Sequence, residues 1–397
     1  MTPELVLARA RALLPAHLEL LAALVELDTS AGGPGAEPCA ARCAAALVEL
    51  GFETATMTAG RDGVTKAHVV TERAARTTDG TPVKTLLVIG HLDTVLAGGP
   101  GTLRRDGERW RGPGVIDMKG GVVTALLTLA LAREAGSLDK LRVRVALNGD
   151  EETGSPTGAP IIRAAARGAD AAICFEAARE GGGVVVARKG LGIARITVNG
   201  RTGHAGIDHE RAANAFSALC RVIARAEDLE RDLDVTVSPG GAVEVSPRML
   251  NAIPDHARCE LEWRFFDPAV GRQLLSALRR VASEVAIATG AVITVDGGIE
   301  APPMKPTALA HALLGRYQVA ASSLGISIVG ASTAGVGDMN EIAALGPACL
   351  DGVGPEGGAM HSTDEWLAID SIAPRAAMNA LAIASWCDDR AASEAPR

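Results

Sequence analysis

Aromatic residues are scarce in this chain of 397 residues: phenylalanine, tryptophan and tyrosine together make up 3%. A platform of stacked rings for single-stranded nucleic acid therefore has little to be built from. Positive charge is also short, with 39 Lys and Arg against 47 Asp and Glu, a formal charge of −8 and no basic run. Binding along a phosphate backbone needs the opposite balance, so nucleic acid is not an expected partner. Long apolar runs are missing as well: the longest, Gly120 to Ala132, falls short of the roughly 20 residues that span a bilayer, and it contains threonines. The Leu-rich N-terminal stretch is interrupted by Glu4, Arg9, Arg11, His17 and Glu19, so it reads as an amphipathic helix rather than a signal peptide. These absences give a cytoplasmic location and no membrane partner as expectations. The seven cysteines are an odd set with no C-x-x-C pair, which favours free buried thiols in a reducing compartment over a disulfide framework or a thiolate cage.

What the chain does have is the composition of a globular protein, 48% hydrophobic and 22% charged. Its length exceeds the ~100 to 200 residues of one compact domain. Three short apolar runs stand out, Thr85 to Ile89, Leu141 to Leu147 and Ala171 to Phe175, separated by helical patterns at Met118 to Glu134 and Thr157 to Arg167. Such alternation predicts a largely parallel sheet covered on both faces. The Asp79-Gly80 turn predicts an antiparallel hairpin, Ala67 to Glu72, ahead of the first run. After about Gly190 the texture changes to strand, helix, strand, helix, strand: Ile193 to Val198, Glu210 to Leu229, Arg258 to Phe266, a helix opened by Pro268, and Ala291 to Val295. The fold class expected is therefore α/β, a mostly parallel mixed sheet between helices, with residues 1–190 and 302–397 as one domain interrupted by a smaller α+β insert at 191–301.

Each apolar run ends in side chains able to hold a metal. The first delivers His91 and Asp93, the second Asp150, Glu151 and Glu152, the third Glu176. Ligands bind at the carboxyl ends of strands in open α/β sheets, so these groups can share one crevice. Asp117 stands just before a helix, where either an N-cap or a ligand is placed, and His361 follows the glycine-rich loop Gly352 to Gly358. Catalytic zinc commonly has three protein ligands and an open position. His91 and Glu176 on one ion, Glu152 and His361 on the other, and Asp117 between them give each ion three. Glu151 is then free to act on water between the ions.

The segments Gly90-His91-Leu92-Asp93-Thr94-Val95, Gly112-Pro113-Gly114-Val115-Ile116-Asp117-Met118-Lys119-Gly120-Gly121 and Asp150-Glu151-Glu152-Thr153-Gly154-Ser155 resemble those of the co-catalytic dizinc metallopeptidases and amidohydrolases. That family includes glutamate carboxypeptidase, acetylornithine deacetylase, succinyl-diaminopimelate desuccinylase and aminoacylase. The resemblance implies the zinc-peptidase-like fold, His91, Asp117, Glu152, Glu176 and His361 as ligands of two zinc ions, and Glu151 as general base. The same ligands accept cobalt or manganese. It implies that Asp93 orients His91 and that a cis peptide follows Asp117. It also implies that the insert is a lid and dimerisation domain, making a homodimer. In the lid, Gly200-Arg201-Thr202-Gly203-His204-Ala205-Gly206 looks like the loop whose His204 helps bind the oxyanion in the partner subunit's site. Asn251 and Arg264 resemble positions that bind a substrate carboxylate; Arg264 reads equally as a cross-strand ion pair.

Arg188-Lys189-Gly190 and the run Gly352 to Glu365 look closest to the glutamate carboxypeptidase-like branch, although Gly337 stands where relatives of that branch commonly carry serine. The implied reaction is hydrolysis of an amide bond in a small molecule with a free carboxylate, releasing a C-terminal amino acid of the glutamate type. The runner-up is an N-acyl amino acid deacylase of the same fold. Three rivals are weaker. Gly352, Gly354 and Gly357 match the dinucleotide fingerprint but open no evident helix. Gly330-Ala331-Ser332-Thr333-Ala334 lacks the last glycine of a serine-hydrolase elbow. A noncatalytic binding protein on the same scaffold would have lost ligands, and none of the five is missing.

Overall fold

The runs Thr85–His91, Arg142–Asn148 and Ala171–Cys174 form strands because their residues have apolar neighbours on both faces; the first and third are buried throughout. They sit in a six-stranded sheet in the order Glu53–Arg61, Val64–Arg73, Arg142–Asn148, Thr85–His91, Ala171–Cys174, Ala348–Leu350. The last four are mutually parallel, and Val64–Arg73 joins Arg142–Asn148 antiparallel. The computed structural model describes residues 1–61, 64–76 and 83–389. The predicted Ala67 to Glu72 segment lies in Val64–Arg73, but its antiparallel hairpin partner is the preceding strand, Glu53–Arg61. Asp79-Gly80 lies outside the described residues.

Helix Lys119–Glu134 is buried from Lys119 to Ala132 and packs on strand Thr85–His91 and against helices Pro3–Val25 and Ile372–Cys387. Gly121 permits a close approach to the end of the strand Ala171–Cys174: a Cβ there would lie 2.0 Å from the Phe175 carbonyl oxygen. Among the described residues no helix is long and apolar enough to cross a membrane.

The chain divides into two compact units, Met1–Ala187 with Pro306–Ser332 and Gly337–Arg397, and Arg188–Lys305 with Thr333–Val336. In the second, the strands Val235–Ser246, His256–Phe265, Gly190–Asn199 and Val292–Ala301 form one antiparallel sheet in that order, with helices Ala215–Asp232 and Pro268–Thr289 packed on it. Its core holds Trp263, Phe265, Leu219, Val222 and Leu278. Alternation of buried and exposed residues in Gly190–Asn199 and His256–Phe265 is the period-two signature of a sheet covered on one face. The first helix begins at Ala215 rather than Glu210, because the Asn214 side chain caps it by accepting from the Ser217 amide at 2.9 Å. The edge strand Val235–Ser246 escaped the sequence reading, since Pro239-Gly240-Gly241 interrupts it and bulges shift its register.

Candidate metal centre

His91 closes the strand Thr85–His91, and its Nε2 faces Asp117 Oδ1 at 3.1 Å and Glu176 Oε1 at 3.4 Å. His361 presents its own Nε2 to the other Asp117 oxygen, Oδ2, at 3.1 Å and to Glu152 Oε2 at 3.3 Å. Asp117 thus stands between two imidazoles with one oxygen toward each. It does not cap the following helix, whose N-cap residue is Met118 and has no side-chain cap bond. The Asp117–Met118 peptide is cis.

The acidic and imidazole groups of this cluster shift one another's proton affinities. Burial would lower the pKa of His91, but Asp117, Asp93 and Glu176 outweigh it and raise it well above the ordinary value. His361 is raised to about 9, chiefly by its hydrogen bond with Asp117. Burial works against Asp117, yet the two imidazoles hold its carboxyl below the usual range. Glu152 is pushed up to about 7 by burial, and Glu151 is also raised well above the usual carboxylate range by burial, with the charges of Asp338, Glu176 and Glu152 adding to it.

The turn carrying Glu151 and Glu152 is gripped from two sides. Asp93 Oδ1 accepts the Glu151 amide and Oδ2 the Glu152 amide, both at 3.0 Å. The His91 ring is oriented by the Asp93 main-chain carbonyl, 3.0 Å from Nδ1, while the Asp93 carboxylate is 3.5 Å away. The expected orienting contact is therefore made mainly by the backbone, because the carboxylate is engaged with the turn. On the far side, buried Asp338 accepts from Ser155 Oγ at 2.5 Å and Asn148 Nδ2 at 2.8 Å, and Asn148 Oδ1 accepts the Asp150 amide at 3.2 Å. Asp150 in turn accepts from Thr157 and from the Gly158 amide.

Glycines of the 352–358 loop serve close packing at the same centre. A Cβ on Gly354 would lie 2.2 Å from the Phe175 carbonyl oxygen, and the Gly354 amide donates to the Glu176 carbonyl at 3.0 Å. The loop so holds the segment that delivers Glu176, a local reason for the glycines that leaves the dinucleotide reading without support.

The remaining candidates lie in the second unit. His204 is exposed, and its Nδ1 accepts from the amides of Gly206 at 3.2 Å and Ile207 at 3.3 Å. With Nδ1 an acceptor, the neutral tautomer of His204 carries its proton on Nε2. The Asn251 carbonyl accepts the Ala205 amide at 3.0 Å, so the loops of Asn251 and His204 are tied together. Arg264 pairs with Glu262 at 3.3 Å, two residues away along one strand rather than across strands.

The donor set suits a pair of divalent cations. Ligand atoms of His91, Asp117 and Glu152 lie within 4.8 Å of one another. Glu152 Oε1 is buried with no hydrogen-bond partner among the described residues, an arrangement costly unless a cation satisfies it. Imidazole and carboxylate ligands at the carboxyl ends of a mostly parallel sheet define a metal-dependent hydrolase of the α/β class. Residues 87–385 match the peptidase family M20/M25/M40, and the chain belongs to that family.

Carboxypeptidase G2 of Pseudomonas sp. (strain RS-16) is 29% identical over 63% of this chain, and the match spans 60% of that protein's length. The succinyl-diaminopimelate desuccinylase of Novosphingobium aromaticivorans is 27% identical over 71% of this chain and 76% of its own. Among solved structures, aminopeptidase PepT of Bacillus cereus superposes with a TM-score of 0.79 at 18% identity, covering 94% of this chain and 98% of its own. A Bacillus subtilis dinuclear metal-binding peptidase of the M20 family gives 0.73 at 17% identity, over 95% and 99%.

Proposed function

We propose that the protein hydrolyses an amide bond in a small substrate bearing a free carboxylate and releases a C-terminal amino acid of the glutamate type, with Glu151 as general base and then general acid. The observation that carries this reading is the division of Asp117 between His91 and His361, with Glu152 and Glu176 beside them and the half-buried Glu151 adjacent to Glu152 in sequence. His91, Asp117 and Glu176 would hold one cation and His361, Asp117 and Glu152 the other. Zinc is favoured, with cobalt or manganese as substitutes. Two such ions supply hydroxide near neutral pH and polarise the scissile carbonyl.

The chain's own part is proton traffic and orientation. Glu151 takes a proton from the attacking water and passes it to the leaving nitrogen, and Asp93 keeps it in place through the turn amides. As the resemblance implies, His204 would donate from Nε2 to the developing oxyanion in the partner subunit's site, while Asn251 and Arg264 would bind the substrate carboxylate. For Arg264 this needs its pair with Glu262 to open, which is inexpensive for a half-exposed ion pair. The reading includes a homodimer formed through the second unit and a cytoplasmic location.

Likeness to carboxypeptidase G2 supports the C-terminal amino acid. The match to the Novosphingobium aromaticivorans desuccinylase covers more of the chain, 71% against 63%, and favours the second reading, removal of an acyl group from an amino acid nitrogen. Incubating the zinc-loaded protein with N-acyl amino acids and C-terminal glutamate conjugates, and identifying products by mass spectrometry, separates the two. Glu151→Gln should keep both metals while turnover collapses. Near-wild-type turnover in that variant removes Glu151 from the mechanism.

A further inference from the structure

Glu365 lies four residues after His361, on the stretch that leads from His361 into the strand Trp366–Ala368. That strand pairs antiparallel with Gly357–Gly358 on one side and with Arg109–Arg111 on the other. His361 therefore occupies the loop between two paired strands. Its φ of +62° is uncommon for a residue with a side chain, so the surroundings must hold the loop. Arg104 Nη2 and Arg111 Nη1 donate to the carbonyls of Thr363 and Asp364, at 3.0 and 2.9 Å.

The Glu365 side chain turns the other way. It is 4% exposed, and its two oxygens converge on three main-chain amides of the segment that ends at Asp117. Oε1 accepts from Ile116 at 2.9 Å and Asp117 at 3.0 Å, and Oε2 accepts from Gly114 at 2.9 Å. The Gly112 amide closes the connection on the Glu365 carbonyl at 3.3 Å. One residue thus stitches the loop that carries His361 to the loop that carries Asp117, although the two are far apart in sequence.

A buried carboxylate beside a centre already rich in carboxylates is an expensive way to satisfy three amides, unless its geometry matters. A carboxylate can accept from all three donors at once. The isosteric amide has one acceptor oxygen, and its NH2 would confront an amide donor. An aspartate keeps the charge but loses a methylene of reach.

We propose that Glu365 is a positioning residue of the metal centre: it fixes the Asp117 carboxylate between the two imidazoles and sets the distance from Asp117 to His361. The proposal rests on the reading that these residues hold a metal pair, and it adds the device that keeps the two ligand loops in register.

The test is titration of chelated full-length protein with Zn2+ and, separately, Co2+, followed by calorimetry and by the visible Co2+ spectrum. Wild type, Glu365→Gln and Glu365→Asp are compared after circular dichroism has shown that each is folded. For Glu365→Gln the more weakly held equivalent should lose about 10- to 100-fold in affinity, the range for groups that orient metal ligands. Its Co2+ spectrum should change, and Glu365→Asp should fall between the two.

A purely structural role would lower the melting temperature but leave affinity and spectrum as in wild type, and that result overturns the proposal. Should Glu365→Gln not fold, Glu365→Asp decides by the same readouts; if neither folds, Glu365 is a framework residue and the proposal fails. A wild-type protein that takes up fewer than two cations overturns the metal-centre reading and this inference with it. Two equivalents held equally by wild type and variant overturn this inference alone.

Discussion

Replacing Asp93 with Asn isolates the grip on the catalytic turn. The wild-type carboxylate gives one oxygen to the Glu151 amide and the other to the Glu152 amide, each at 3.0 Å, from a position 3% exposed to solvent. Asparagine keeps the volume but has one acceptor. Its NH2 faces the second amide, so one buried N–H is left without a partner at a cost of about 1 to 3 kcal/mol. If about 2 kcal/mol of that is spent on misplacing Glu151, the barrier rises enough to slow kcat roughly 30-fold. His91 keeps its contact with the Asp93 main-chain carbonyl, so its orientation should persist. The assay is steady-state hydrolysis by zinc-loaded protein, with metal content measured on the same samples. The expected outcome is a fall in kcat with KM little changed and metal content intact. A kcat within about twofold of wild type at full metal occupancy would refute the reasoning, since the barrier would then have moved by well under 1 kcal/mol.

His361→Ala removes the imidazole that faces Asp117 and Glu152, so metal content by elemental analysis should drop from two equivalents to one; two retained equivalents would exclude His361 as a ligand. Burial pushes the Asp338 carboxyl from an ordinary 3.8 up to about 7. A folded acid of raised pKa binds its proton more tightly than the unfolded chain does, so its stabilising effect is present below about pH 3.8 and is lost as pH climbs through about 7. In chelated protein, Asp338→Asn should flatten the decline of thermal stability across that window; an unchanged slope would assign the decline elsewhere. Gly192→Ala should cost the second unit about 3 kcal/mol in urea denaturation, because the new Cβ would stand 2.1 Å from the ring of fully buried Trp263. Wild-type stability there would mean that the ring can move aside.

The centre was more legible in the sequence than the framework that supports it. Strands buried on both faces read as unbroken apolar runs, which exposed Thr85–His91 and Ala171–Cys174 and with them the candidate ligands at their ends. Asp117 could be read as cap or ligand, because sequence alone does not say which way a side chain before a helix points. In the sequence Glu365 is only the last residue of the run Gly352 to Glu365, and Asp338 only the neighbour of Gly337. Their work is done across loops far apart in the chain, and no local periodicity or spacing encodes such a pairing. The small strands Arg104–Asp106, Arg109–Arg111 and Gly357–Gly358 are too short to show alternation. The hairpin partner of Val64–Arg73 was missed because Glu53–Arg61 is dominated by Thr and Ala rather than by large β-branched residues.

The order of the segments along the chain has a biosynthetic consequence. The insert at 188–305 leaves the ribosome before the loop that carries His361 and Glu365, and before the parallel strand Ala348–Leu350 that completes its sheet. An emerging polypeptide can therefore form most of its second unit before His361, the last residue of the candidate metal centre, has been made. Translation that stops short of residue 361 yields a product without the imidazole on which the proposed hydrolysis depends.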